Sequence, residues 1–194
     1  MPHRRLLLTT TLALALVSVQ FAAVRFATDA WMVRLALPVT ILAAPLVLWP
    51  YRHRFGTWVI LVGLAANLAA ILANGGLMPI ERGTVERAIG FERASRYVAN
   101  EWVRGSKDVL VEDGRGRATA LGDSILVRIG SGGFAASPGD IVIWIGVAIL
   151  GAEAAVAWQR GRRSGSGVAP HVAAGELAPA GDPRRAEGGA PSLS

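Results

Sequence analysis

The 194-residue chain has no cysteine, three histidines and a single lysine. Without cysteine there is no disulfide, no thiolate metal ligand and no thiol nucleophile, and the redox compartment cannot be read. His3, His53 and His171 lie in a terminus, a short basic segment and a tail, and no two have metal-ligand spacing. Nucleophile motifs and a nucleotide fingerprint are also missing, so the sequence points to no catalytic residue, no metal and no cofactor. Nineteen of the twenty cationic side chains are arginine, Lys107 being the exception. Beside so much Ala and Gly, that bias reads as the codon usage of a GC-rich bacterium rather than selection for bidentate phosphate contacts.

What the chain has is apolar residues, 52% of the total with a mean hydropathy of +0.41, gathered into blocks. That is the composition of a small polytopic membrane protein, whose expected partners are membrane lipids. The net charge of +6 could suit nucleic acid, but its placement does not. Arg4-Arg5, Arg52-His53-Arg54 and Arg160-Gly161-Arg162-Arg163 flank apolar runs, as in proteins oriented by positive charge on the cytoplasmic side, and no nucleic-acid partner is expected.

The central stretch is the apolar run Thr57 to Ala73, which ends abruptly in Asn74-Gly75-Gly76-Leu77-Met78-Pro79-Ile80. Leu6 to Ala23 is the first spanning candidate; it exceeds the roughly 7 to 15 residues of a signal-peptide core, which favours a retained helix over a cleaved one. Trp31 to Trp49 returns as the second, with Pro38 and Pro45 inside and Arg34 near its start, placed to snorkel to headgroups or, more sharply, to hold an anion. In the third, Gly63, Asn67, Ala70 and Asn74 share one face, a stripe suited to helix packing or to a solute path. Ile141 to Trp158 is the fourth, with Ala148 and Ala152, and Gly151 and Ala155, spaced for a close helix contact. Its Glu153 is an acid inside a span, a candidate functional group or a partner of interfacial water or Arg160.

The expected fold is therefore an all-α integral membrane protein of about four transmembrane helices with one extracytoplasmic loop of mixed helix and short β pieces. Residues 1–74 form a three-helix membrane region, 75–140 the loop, 141–158 the fourth helix and 159–194 a disordered basic tail. Within the loop, Met78-Pro79 closes a turn, Thr84 to Val103 reads as a surface helix with Val85, Ala88, Phe91, Val98 and Trp102 on one face, and Val109 to Glu112 and Ser124 to Arg128 read as strands. Ser137-Pro138-Gly139-Asp140 opens the last helix as N-cap, first-turn proline and first-turn acid, which accounts for Asp140 without catalysis. With four spans all three basic clusters fall on one side, placing both termini in the cytoplasm of a bacterial plasma membrane. Trp31, Trp49, Trp58, Trp144 and Trp158 then mark the helix ends.

Three motifs in order, Asn74-Gly75-Gly76-Leu77-Met78-Pro79, Leu121-Gly122-Asp123 and Ser137-Pro138-Gly139-Asp140-Ile141, resemble the pattern of a family of small bacterial membrane proteins known as a domain of unknown function. The resemblance covers about Leu35 to Ala157, and Arg104 to Ala120 departs from it. It implies a multi-pass protein with a glycine-rich loop beyond the third helix and supplies no activity. Physically, Asn74-Gly75-Gly76 can form a backbone anion nest, near which Asp123 and Asp140 could meet; simple turn and cap chemistry explains the same residues. Three functions compete. One is association with an envelope partner, another membrane protein or a second copy. The others are a small-solute transporter or pore using Asn67, Asn74 and Glu153, and a membrane enzyme using Asp123 and Asp140.

Overall fold

A computed structural model describes residues 2–129 and 132–165 of the chain. Its helices are α1 (Pro2–Phe26), α2 (Ala30–Leu48), α3 (Phe55–Ala73), α4 (Arg82–Ile89), α5 (Phe91–Ala94) and α6 (Pro138–Gly165). Strands β1 (Met78–Glu81) and β2 (Asp108–Val111) pair in parallel, and β3 (Ile125–Ile129) and β4 (Gly132–Ala136) form an antiparallel hairpin. The described residues are thus mostly helical with two small sheets, and four helices, α1, α2, α3 and α6, are long and apolar enough to cross a membrane. The chain divides into two units, Met1–Ala157 and Trp158–Ser194. In the second, helix continues to Gly165, with the Arg162 guanidinium 4.1 Å above the Trp158 ring; the tail expected to be disordered falls mostly on residues 166–194, outside the described ones.

α1 packs along α2 through a stripe of half-buried residues including Ala13, Leu16, Gln20 and Ala23, the three-and-four spacing of one helix face. α2 runs through Pro38 and Pro45. Pro38 offers no N–H to the Arg34 carbonyl, and Gly76 packs on that carbonyl so closely that a methyl there would lie 2.7 Å from it. The turn into α3 is fastened by Thr57 Oγ1 donating to Tyr51 O at 2.8 Å and Trp58 Nε1 donating to Arg52 O at 2.8 Å.

α3 and α6 meet through glycines. A methyl at Gly56 would lie 2.8 Å from Gly146 O, and one at Gly63 would lie 2.6 Å from Gly139 O, so the seven-residue spacing on both antiparallel helices brings backbone against backbone. The expected stripe of Gly63, Asn67 and Ala70 is buried, as helix packing requires. On α6, however, the contact face is Gly139 and Gly146. Ala148, Gly151, Ala152 and Ala155 are exposed, because the glycine pairs set the helix rotation and turn those residues outward.

The segment from 78 to 136 forms a cover over the ends of α2 and α3. Leu77, Met78, Val109 and Val111 share one apolar cluster with Val33, Leu37, Ala70 and Ile71, seating the β1–β2 sheet on the helices. Fully burying a side chain such as Leu77 or Met78 stabilises this seat by about 1.5–3 kcal/mol each. Three sequence expectations change here. Met78 and Pro79 do not close a turn; they lie in β1, opposite Asp108 and Val109, because the glycines before them have already reversed the chain. The single helix from 84 to 103 breaks at Gly90 (φ 84°, ψ 152°) into α4 and α5, followed by irregular chain, leaving Phe91 and Val98 exposed. And the loop carries four strands, of which β2 and β3 were legible as short β-like runs.

Candidate functional site

The three sequence motifs converge. Asn74-Gly75-Gly76 terminates α3: the amides of Asn74 and Gly76 donate to Ile71 O at 3.2 and 2.8 Å, with φ of 67° at Gly75 and 92° at Gly76. The Asn74 side chain donates to Ala70 O at 2.8 Å and Arg117 O at 2.7 Å. These groups form a helix C-cap and not an anion nest, since two amides are already spent on the helix carbonyl. Asp123 N then donates to Pro79 O at 2.9 Å, and a methyl at Gly122 would collide with that same carbonyl, so Leu121-Gly122-Asp123 docks flush on Met78-Pro79.

Asp140 and Ser137 cap α6 reciprocally: Asp140 N donates to Ser137 Oγ at 2.9 Å and Ser137 N donates to Asp140 Oδ2 at 3.1 Å. Asn67 on α3 joins them, donating to Asp140 Oδ1 at 2.7 Å and accepting from Ser137 Oγ at 2.8 Å. Gly139 gives Asn67 its room, since a methyl there would overlap Asn67 Oδ1. The capping expected of Asp140 is present, and it is half of what Asp140 does.

The other half is Lys107. Its ammonium lies 3.2 Å from Asp140 Oδ2 and 3.2 Å from Asp123 Oδ1. Asp123 and Asp140 therefore do meet, on Lys107 rather than at the glycine turn. Lys107 stands at the threshold of β2, where its carbonyl accepts from Met78 N at 2.9 Å, and Asp108 follows it with its amide on Ser106 Oγ at 3.0 Å. The Lys107–Asp123 contact is an ion pair without hydrogen-bond alignment, and Asp108 Oδ1 is buried without a donor.

Burial pushes the Asp123 carboxyl up to about 8; the charge of Asp108 adds to this and Lys107 opposes it. Asp108 is raised by burial too, against the pull of Lys107 and the Ser106 hydroxyl. Burial works against the Lys107 ammonium, but Asp123, Asp140 and Asp108 outweigh it and hold lysine above its ordinary range. Lysine thus stays charged, while burial favours the protonated forms of Asp108 and Asp123. Among the described residues no three His, Cys, Asp or Glu side chains are grouped to hold a metal ion.

A cavity of about 760 Å³ opens beside this cluster. Val17 and Phe21 of α1, Val85 and Ile89 of α4, and Phe134 of β4 give it apolar walls, and Lys107, Asp108, Asp123 and Asp140 form its polar end. A smaller cavity of about 170 Å³, bordered by Asn67, Lys107 and Asp140, continues into the bundle, and another of about 200 Å³ lies between α1, α2 and α3; Gln20 borders all three.

The remaining candidates lie elsewhere. Arg34 is exposed. Glu153 Oε1 accepts from Phe55 N at 3.1 Å, capping the start of α3, and Glu153 O accepts from Arg54 Nη1 at 3.3 Å. Asn74 sits at the other end of that 19-residue helix. Such a helix is about 28 Å long, so Asn74 and Glu153 cannot share one site. Lys107 and Asp108 were missed by sequence reasoning, although a lone lysine among arginines was a signal.

Four helices long and apolar enough to cross a membrane, under a small α/β cover and beside an apolar cavity with an ion-paired cluster at one end, define a mostly helical protein of candidate membrane type. The chain belongs to a family of unknown function (DUF5317), whose profile covers residues 3–151 and so takes in α1 as well as the three motifs. No curated protein and no solved structure matches it.

Proposed function

We propose that this chain is a multi-pass protein of the bacterial plasma membrane that binds an amphiphile beneath its extracytoplasmic cover. One observation carries this: the 760 Å³ cavity is apolar along α1 and α4 and ends in the Lys107 cluster, so a single molecule with a tail and a polar head would satisfy both ends. The volume lies within the roughly 300–1,000 Å³ of ordinary ligand pockets. Arg52 to Arg54 occupy the α2–α3 turn, at the opposite ends of these helices from the cover, which supports a cytoplasmic assignment for that turn and for the termini. Association with another membrane protein or a second copy would use the outward apolar residues of α1 and α6, but lipid satisfies those faces equally, so the cavity is the stronger ground.

The test is saturable binding of a pyrene-labelled acyl chain to the protein in nanodiscs. One site per chain is expected, lost in Ala88→Trp, which fills the cavity from a half-buried wall position. Binding that does not saturate, or that persists in Ala88→Trp, rejects the proposal.

A second reading is enzymatic. Asp123 keeps its proton to about pH 8 beside the cavity and could act as a general acid. It predicts a chemical change in a cavity-bound substrate that Asp123→Asn abolishes.

A further inference from the structure

The polar end of the large cavity holds more acceptors than donors. Asp108, Asp123 and Asp140 bring three carboxylates, and Lys107 is the only cation among the described lining residues. The Lys107 ammonium is committed to Asp123 and Asp140, and Asp140 is further satisfied by Asn67 and the Ser137 amide. Asp108 Oδ1 is left without a donor on a residue only 9% exposed, Asp123 Oδ1 has only its 3.2 Å ion pair with Lys107, and both residues border the cavity. A buried acceptor left unpaired is unfavourable, so Asp108 Oδ1 calls for a ligand that donates.

We propose that this end of the cavity binds a primary ammonium group carried on an apolar chain. The assignment rests on the amphiphile reading above and adds the headgroup. Charge decides among donors: three carboxylates against one ammonium leave the site short of positive charge, so a cation is favoured over a hydroxyl or amide. A phosphate or carboxylate head would meet more acidic than basic groups, with none of the nineteen arginines among the described lining residues. A primary ammonium also has three donors, enough for the orphaned Asp108 oxygen and the Asp123 carboxylate beside it, which a quaternary head lacks.

Binding then exchanges one cation for another. Without ligand, Asp123 holds a proton up to about pH 8; the ammonium takes its place and the proton leaves to solvent. The other titratable groups facing the pair are Lys107, Asp140 and Tyr97, with Gln20 and Ser106 as neutral neighbours. Because proton and ammonium compete, affinity rises with pH below about 8, by up to about tenfold per unit where one proton is displaced.

The experiment is calorimetric titration of the full chain in nanodiscs with octylammonium, octyl phosphate, octanol and butylammonium, at pH 6 and 7 and in buffers of different ionisation heat. Octylammonium is expected to bind tightest, to release close to one proton at pH 7, and to bind about tenfold or more weakly to Asp108→Asn. Should Asp108→Asn not fold, the headgroup ranking and the proton release of the unaltered chain decide alone. Octanol or octyl phosphate binding as well as octylammonium overturns the ammonium assignment and leaves the amphiphile reading standing. Butylammonium binding as well as octylammonium overturns the apolar chain, and octylammonium binding without proton release overturns the exchange. If no octyl compound binds, the amphiphile reading falls and this inference with it.

Discussion

Lys107 shows how much one side chain can hold. It ties the start of β2 to the Asp123 motif and to the capped end of α6, three segments with no other shared ion pair among the described residues. Lys107→Met would leave Asp123 and Asp140 without their cation, and because the lysine is about a quarter exposed the loss should be about 1–3 kcal/mol rather than that of a fully buried pair. A Tm in detergent lowered by several degrees checks it. Lys107→Arg should rescue this poorly, since a planar fork does not replace a compact ammonium between two carboxylates at 3.2 Å. Asp123 carries a pH prediction with a definite sign. Its carboxyl moves from 3.8 when unfolded to about 8 when folded, so the folded chain binds more protons between those values. Stability from this group is full below the lower value and is lost as pH rises through the upper one. Denaturation followed from pH 5 to 9 should show that decline, and Asp123→Asn should flatten it.

At the scale of elements, the contact between α3 and α6 is the most sensitive joint. Gly63→Leu drives a side chain into Gly139 O and the Ile143 side chain, and Gly146→Leu drives one into the Ile60 backbone, so either should separate the helices and cost more than the roughly 1–3 kcal/mol of ordinary overpacking. Gly151→Leu, placed where no atom lies within 4 Å, should leave the Tm unchanged. Comparing the three Tm values tests the glycine register directly. The start of α6 is a second joint: Ser137→Ala removes the hydroxyl half of the reciprocal cap and the bond to Asn67, and about 1–2 kcal/mol should go with it. Both joints were partly legible. The Ser-Pro-Gly-Asp start and the buried stripe on α3 follow from local chemistry and helical period. The matching face of α6 did not, because alanine and glycine at four-residue spacing look alike in sequence and only the partner helix selects between them.

For the whole molecule the open question is orientation. Single cysteines at Ser95 and Ser164 can be labelled without background in a chain that has none. Labelling of Ser95→Cys alone by an impermeant reagent in intact cells is the outcome expected if the cover is extracytoplasmic; labelling of Ser164→Cys alone would invert the threading and move the cavity to the cytoplasmic side. By itself the sequence determined the four apolar helices, the Ser-Pro-Gly-Asp start of the last and the glycine turn after the third, because hydropathy, capping and positive φ act within a few residues. Only the tertiary structure decided where the polar groups go. Lys107, Asp123 and Asp140 are separated by up to 33 residues, and Asn67 lies 73 residues from Asp140. Nothing in local propensity brings them together; the seating of the β1–β2 sheet on α2 and α3 and the glycine contact of α3 with α6 place them around one point. Burial there, and not the identity of any single residue, turns ordinary surface amino acids into a charged cluster that holds a proton beside an apolar cavity.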